Sequence, residues 1–170
     1  MRVLVCLVAC LTLAGLGAAQ AAATVRITSP AIGADGRIAK AQSNYGANIS
    51  PPLAWAPIPG AMSYAIVLDD PDAPGPRAFV HWLVWNIPAT VTSLAAGEIP
   101  PGAVEGRNDN DTVGYFGPRP PSGVHHYHLR VFALNAPLGL PAGADRQALS
   151  AAMRDHVMAV GELVGTFAAP

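Results

Sequence analysis

The sequence predicts a mainly β protein, an antiparallel β-sandwich with one peripheral helix near its C-terminus. Three observations support this fold class. Several runs of residues have the apolar pattern of strands, a single late segment has helical spacing, and charged residues make up only 12% of the chain. The 17 glycines and 17 prolines fall largely between these runs, where they favour turns and ordered loops. This combination is typical of strands packed in two layers.

Residues 1–23 are predicted to be a removable secretory signal rather than part of the fold. Arg2 precedes an apolar stretch over 3–16 that is too short to span a membrane comfortably, and small residues follow it. Cleavage near Ala21 to Ala23 would leave residues 24–170 as a single domain in the periplasm or the medium. A lipid anchor at Cys10 is the alternative.

The predicted mature chain contains no thiol, since Cys6 and Cys10 both lie in the signal. Disulfides, zinc–thiolate sites and cysteine nucleophiles are therefore excluded from its chemistry. Without Arg2, nine of the ten basic residues remain against eleven acidic ones, and Lys40 is the only lysine. Such scattered positive charge does not form a polyanion-binding face, so we expect no nucleic-acid partner.

Five strands are predicted in the first four-fifths of the chain. Residues 25–28 alternate in polarity, and 53–55 form a short apolar run inside long loops. The run 64–68 is continuously apolar, as expected of a strand covered on both faces. Strand alternation over 79–87 places one set of side chains on one face, namely Phe79, His81, Leu83, Trp85 and Ile87.

The fifth strand, 124–134, carries four of the residues that could serve a site. Alternation places His125 and Tyr127 on one face and His126 and His128 on the other. The histidines are therefore predicted to form two sets that cannot share a site.

The single helix is predicted over 144–160. Asp145 is placed to cap its N-terminus, and Leu149, Met153 and Val157 recur at helical spacing, with His156 beside them. The glycine that follows is expected to end the helix, and 164–167 to return as a closing strand.

Polar residues at two distant places in the chain predict a binding site. The acidic loop after the central strand and the Gly/Pro loop at 117–123 each adjoin a strand that carries histidine. A carboxylate beside an imidazole favours the protonated ring, a phenol adds a neutral donor, and glycine lets backbone N–H groups approach a ligand. We predict a pocket for a small anionic ligand: phosphate, phosphoethanolamine or a carboxylate. The candidate side chains are Asp70, Asp72, His81, His125 and Tyr127.

Two motifs in these segments are specific enough to suggest a family. Asp-Pro-Asp-Ala-Pro begins at Asp70 and is followed by His81-Trp82, while Gly-Pro-x-Pro-Pro-Ser-Gly-x-His-x-Tyr begins at Gly117. Together they resemble the signatures of the phosphatidylethanolamine-binding protein family, in particular its bacterial Raf-kinase-inhibitor-like branch, over residues 25–167. The resemblance implies a β-sandwich that binds phospholipid head groups or phosphorylated ligands, and an inhibited protein as a second class of partner.

The resemblance also assigns roles to individual residues. It places Asp70, His81, His125 and Tyr127 in the anion pocket. Its rim would comprise Asp72, Pro74, Gly117, Pro118, Pro120 and Pro121. One departure is Arg119, where many bacterial relatives carry cysteine; here an arginine could add positive charge at the pocket mouth.

Two function classes remain open at this stage. The first is an exported, non-enzymatic binding protein, and the alternative is a small-substrate hydrolase that uses Asp70 and His81 as an acid–base pair. Ser122 is not in a nucleophile elbow, and Asp109-Asn110-Asp111 lacks the later oxygen ligands of a calcium loop. We therefore expect no catalytic residue, no metal site and no cofactor.

Overall fold

A computed structural model describes residues 23–170 of the chain. Within that range it confirms a mainly β fold with one α-helix near the C-terminus. Apart from Ala23, the predicted secretory signal lies outside the described residues. The elements are β1 (Ala23–Thr24), β2 (Ile27–Thr28), a 3-10 turn (Lys40–Gln42), β3 (Leu53–Trp55), β4 (Ser63–Asp70), β5 (Phe79–Pro88), β6 (Ser93–Leu94), β7 (Val104–Glu105), β8 (Val124–Leu134), α1 (Arg146–Met153) and β9 (Val157–Ala168).

The strands form two sheets of unequal size. The larger has six strands in the order β1-β9-β8-β4-β5-β7, and the smaller has three in the order β2-β3-β6. Neighbouring strands run antiparallel except for β1, which pairs in parallel with β9 through two residues. Strand β4 lies between β5 and β8, and all eight of its residues are buried. This confirms the prediction of a central strand covered on both faces.

Apolar side chains cover the large sheet on both sides. On one side the small sheet contributes Trp55, which packs into the same core cluster as Ile66 of β4 and Leu129 of β8. On the other side α1 buries Leu149 and Met153 in a second cluster. The molecule is thus a sandwich of two sheets with a helix outside the larger one, as predicted.

Helix α1 is shorter than predicted. Asp145 caps it as expected, because its Oδ1 accepts the N–H of Ala148 at 2.8 Å, but the helix ends at Met153. From Val157 onward the chain is β9, which pairs with β8 along the whole of β8. The periodicity that suggested a longer helix also contains β-branched residues, and the ladder to β8 overrides the local preference. His156 lies in the turn, where its Nδ1 bonds to the side chain of Asn135.

The prediction that alternate residues of β5 share one face along the whole strand is also wrong, because two β-bulges interrupt the alternation. Leu68 pairs with Trp82 and the next residue of β4 pairs with Val80, so His81 is the extra residue of the first bulge. Trp82 consequently belongs to the core cluster between the sheets, whereas Leu83 lies on the helix side. A second irregularity, near Asn86 with its φ of 57°, restores the original alternation.

Candidate anion-binding site

The candidate site lies where β4 ends and where β5 and β8 begin. Asp70 is the last residue of β4 and pairs with Phe79 at the start of β5, while the first residues of β8 run alongside. Antiparallel pairing therefore brings the two distant polar segments to one end of the central sheet. The alternation of β8 is confirmed, with His125 and Tyr127 buried on the inner face.

Asp70 and His125 form a buried hydrogen-bonded pair. The Oδ2 of Asp70 is 2.7 Å from the Nδ1 of His125, and both side chains are less than a tenth exposed. The other oxygen, Oδ1, accepts the backbone N–H of Asp72 at 2.9 Å. Because a carboxylate only accepts, the hydrogen lies on Nδ1 of His125, and Nε2 is the nitrogen left for a ligand.

His81 bonds to a backbone carbonyl instead of to Asp70. Its Nδ1 donates to the carbonyl oxygen of Phe116 at 2.6 Å, so the predicted Asp70–His81 pair is not formed. The ring is only 3% exposed and has Phe79, Phe116 and Tyr127 as aromatic neighbours, with centroids at 4.9, 5.9 and 5.2 Å. This burial lowers the pKa of His81 and favours the neutral ring.

A cavity of about 390 Å³ opens against these side chains. Five of its lining residues were predicted as site residues: Asp70, Pro74, His81, Pro121 and His125. Arg119 also lines the cavity, where its side chain can add positive charge. The other four lining residues are not predicted from the sequence: Ala73, Phe79, Asn110 and Phe116.

Phe116 and Phe79 could have been found from their positions, since one adjoins the Gly/Pro loop and the other opens the strand of His81. Asn110 could not, because its segment has the composition of an ordinary surface turn. The structure holds this segment against β5 through Asp109, whose Oδ2 accepts the N–H of Val80 at 2.8 Å and pairs with Arg77. Burial alone would raise the pKa of Asp109, but the hydrogen bonds from Arg77 and Val80 outweigh it and lower the pKa.

Three of the predicted rim residues, Gly117, Pro118 and Pro120, contact the neighbouring loop. Gly117 donates its N–H to Asn48 Oδ1 at 2.7 Å, and an added Cβ would lie 2.2 Å from the carbonyl oxygen of Gln42. Pro118 and Pro120 use their carbonyl oxygens to accept from the loop at residues 44–45. These three residues therefore support the Gly/Pro loop and do not line the cavity.

The Tyr127 side chain is buried beneath the two histidines. Within residues 23–170 its hydroxyl has no hydrogen-bond partner, and its ring lies 5.2 Å from that of His81 and 6.5 Å from that of His125. Burial raises the pKa of Tyr127, and the charge of Asp70 adds to the shift, so the phenol stays protonated. Tyr127 thus places a neutral phenol beside the two imidazoles.

Asp72 directs its carboxylate to the opposite face of the sheet. Its Oδ2 accepts from both the backbone N–H and the Nδ1 of His126, at 2.8 and 2.7 Å, and the hydrogen bonds from His126 lower the pKa of Asp72. His128 bonds to Glu162 on that same outer face. The two sets of histidines are therefore on separate faces, as predicted, but Asp72 is not on the cavity side.

A larger cavity of about 630 Å³ lies elsewhere, beside α1. Its walls include Arg146 and the ion pair between Arg77 and Asp109, and none of the predicted site residues lines it. Five of the predicted site residues line the smaller cavity instead.

Comparison with known proteins agrees with this fold. Residues 28–168 match the family model described as phosphatidylethanolamine-binding protein. The chain belongs to the phosphatidylethanolamine-binding protein family. A UPF0098 protein of Methanothermobacter thermautotrophicus is 45% identical over 138 residues, which cover 78% of this chain and 91% of that protein. LppC of Mycobacterium tuberculosis, which is named as a lipoprotein, is 41% identical over 152 residues, 88% of this chain and 75% of that protein.

Two solved structures share the architecture. The homologue CT736 of Chlamydia trachomatis superimposes with a TM-score of 0.81 at 33% identity, covering 86% of this chain and 99% of that one. Escherichia coli YbcL, described as a member of the mammalian family, gives a TM-score of 0.80 at 32% identity and covers 87% and 100%. Among residues 23–170 no helix is long and apolar enough to cross a membrane.

Proposed function

We propose that this chain is an exported, non-enzymatic binding protein whose cavity takes a small anionic group, such as phosphate or the head group of a phospholipid. One observation carries the proposal: two buried histidines line one cavity, and each has its Nδ1 already bonded to the protein. Their Nε2 atoms are thereby left for a ligand. The aromatic rings and hydrogen bonds that fix both imidazoles reduce the entropy lost on binding.

Charge at the cavity supports an anion over a cation. Asp70 uses both carboxylate oxygens within the protein, one for His125 and one for the Asp72 backbone. A protonated His125 would neutralise Asp70 and donate from Nε2, and the exposed Arg119 adds a cation at the cavity wall. The ligand would therefore meet the cation of Arg119 and, with a charged His125, a donor at Nε2.

The lining residues also favour binding over covalent chemistry. None of the residues that line the cavity within the described chain carries a hydroxyl or a thiol. The acid–base pair on which the hydrolase alternative relied is absent, since His81 bonds to Phe116. Export is supported by the signal-like N-terminus and by the lipoprotein name of the LppC relative.

An NMR titration with inorganic phosphate tests the proposal. We expect the ring resonances of His81 and His125 to shift in a saturable way, because both face the cavity. The resonances of His126 and His128 should remain in place, because they lie on the outer face of the same sheet. Unchanged His81 and His125 signals at high phosphate would refute anion binding at this cavity.

Asp70 and Asp72 lie two positions apart in the sequence and provide a matched pair of variants. Asp70→Asn should weaken phosphate binding by about 10- to 100-fold, because an amide is a weaker acceptor for the Nδ1–H that fixes the ring of His125. Asp72→Asn keeps the backbone N–H that holds Asp70 and changes only a carboxylate on the outer face. Its phosphate affinity should stay within about threefold of the unmodified protein. Equal losses in the two variants would contradict the assignment.

A further inference from the structure

The hydrogen bond of His81 determines what its second nitrogen can do. A carbonyl oxygen can only accept, so the hydrogen of the 2.6 Å bond to Phe116 lies on Nδ1. In the neutral ring Nε2 then carries a lone pair and no hydrogen. The side of His81 that is left for the cavity is therefore an acceptor.

The surroundings of His81 keep the ring neutral. Three aromatic rings enclose it, and burial lowers its pKa, although the charges of Asp70 and Asp69 on β4 and of Asp109 oppose that shift. On the side of β8 its neighbours are the protonated phenol of Tyr127 and the Asp70–His125 pair, and the cation of Arg119 lines the same cavity. The carboxylates of Asp69, Asp70 and Asp109 all have hydrogen-bond partners of their own. Protonation of His81 would therefore bury a positive charge with none of these carboxylates free to pair with it.

His125 differs from His81 in its hydrogen-bond partner. Its Nδ1–H points to the buried carboxylate of Asp70, and a charged ring in this position donates from Nε2 to a bound anion. With such a ring the cavity presents one donor and one acceptor.

We propose that this pair of unlike nitrogens selects oxyanions that carry a proton, and so binds phosphate monoesters more tightly than phosphate diesters. The inference deepens the proposed function and rests on it. A monoester monoanion has a P–O⁻ to accept from His125 and a P–OH to donate to His81. No covalent bond changes; the shared proton stays between the ligand oxygen and Nε2 of His81, and a dianionic monoester takes up one proton from solvent when it binds.

A diester cannot satisfy both nitrogens. It has no hydroxyl hydrogen, so its oxygen lone pairs would face the lone pair of His81 unless the buried ring became charged. An unsatisfied buried acceptor weakens binding by at least about tenfold. Free phosphate esters and lipids with a terminal phosphate would therefore bind more tightly than phospholipid head groups whose phosphate is a bridging diester.

Methyl phosphate and dimethyl phosphate test this selectivity because they differ by one methyl group. Near pH 6, close to the second pKa of a phosphate monoester of about 6, calorimetry should show at least about tenfold tighter binding of methyl phosphate. Equal affinity for the two, or a preference for dimethyl phosphate, would overturn the selectivity and leave anion binding intact. If neither binds, the proposed function itself fails.

Nitrogen NMR of the His81 ring supplies a second measurement. In the methyl phosphate complex we expect His81 to remain the neutral Nδ1–H tautomer; a charged ring in that complex would contradict the proposal. His81→Gln should reduce the preference to within about threefold, since a rotatable amide offers either a donor or an acceptor. His128→Gln, on the outer face, should keep the full preference. If His81→Gln does not fold, the comparison of the two esters on the unmodified protein still decides the question.

Discussion

At the level of single residues, the two inward histidines differ in what their Nδ1 atoms bond. His125 donates to a carboxylate and His81 donates to a backbone carbonyl. Only the first partner supplies a negative charge that stabilises an imidazolium. The chemistry of the cavity therefore depends on the group to which each histidine Nδ1 donates as well as on the residue type.

The buried neutral state of His81 predicts a dependence of stability on pH. Its folded pKa lies below the value of about 6.5 expected in the unfolded chain, so below that pH the unfolded state binds a proton that the folded state excludes. The contribution of His81 to the free energy of unfolding is full above pH 6.5 and is lost as the pH falls toward the pKa of His81 in the folded state. The slope can reach about 1.4 kcal/mol per pH unit.

The variant His81→Phe isolates this contribution. Urea unfolding at several pH values between 5 and 7.5 should show a free energy of unfolding that falls less steeply with decreasing pH in the variant than in the unmodified protein. The lost hydrogen bond to Phe116 shifts the free energy at every pH, so only the slope is diagnostic. Parallel slopes in the two proteins would show that His81 titrates alike in the folded and unfolded states.

At the level of elements, β9 depends on glycine where another segment crosses it. Gly161 lies inside the strand, and an added Cβ would be 1.8 Å from the carbonyl oxygen of Val25. This close approach lets the Val25 N–H donate to the carbonyl oxygen of Val160 at 3.2 Å and holds the segment between β1 and β2 against β9. A methyl group there has to displace backbone, because no flexible side-chain end can yield.

Gly161→Ala is therefore expected to destabilise the protein by about 1–3 kcal/mol, measured by urea unfolding. The amide of Val25 should also exchange with solvent faster. Gly139→Ala is the matched control, since its Cβ would meet no atom within 4 Å, and its effect should stay within about 0.5 kcal/mol. Similar stability of the two variants would show that the N-terminal segment yields without cost.

At the level of the whole molecule, different elements pack on the two faces of the large sheet. The small sheet covers one face, and α1 covers part of the other. The uncovered part of that face carries charged pairs, including Arg130 with Asp69 and His128 with Glu162. The candidate cavity opens at the end of the sheet, where strand ends and loops leave space between these layers.

Processing of the whole chain provides a further prediction. If residues 1–23 include a removable signal, the exported protein should begin at Ala22 or Thr24 and contain 149 or 147 of the 170 residues, with no thiol. Intact mass and a thiol assay on material from the cell exterior or periplasm measure both properties. A mass that includes Cys10 with attached lipid would instead establish the anchored alternative.

Local patterns were sufficient for most elements. The apolar run of β4, the alternation of β8 and the capping role of Asp145 were all predicted from neighbouring residues, and the structure has each of them. The same patterns could not locate the end of α1, since helical and strand spacing coincide around Val157. They also could not reveal the bulge at His81, because a bulge is defined by the partner strand.

The amino-acid sequence by itself determined strands β3, β4, β5 and β8, the division of the β8 histidines between two faces, and which two loops carry the polar residues of the candidate site. Only the tertiary structure decided that Asp70 pairs with His125, that His81 bonds to Phe116 and that Asp72 turns outward. The physical reason is the separation along the chain over which each kind of interaction acts. Periodicity and capping act between residues a few positions apart, whereas hydrogen-bond partners across a sheet depend on strand register and on bulges.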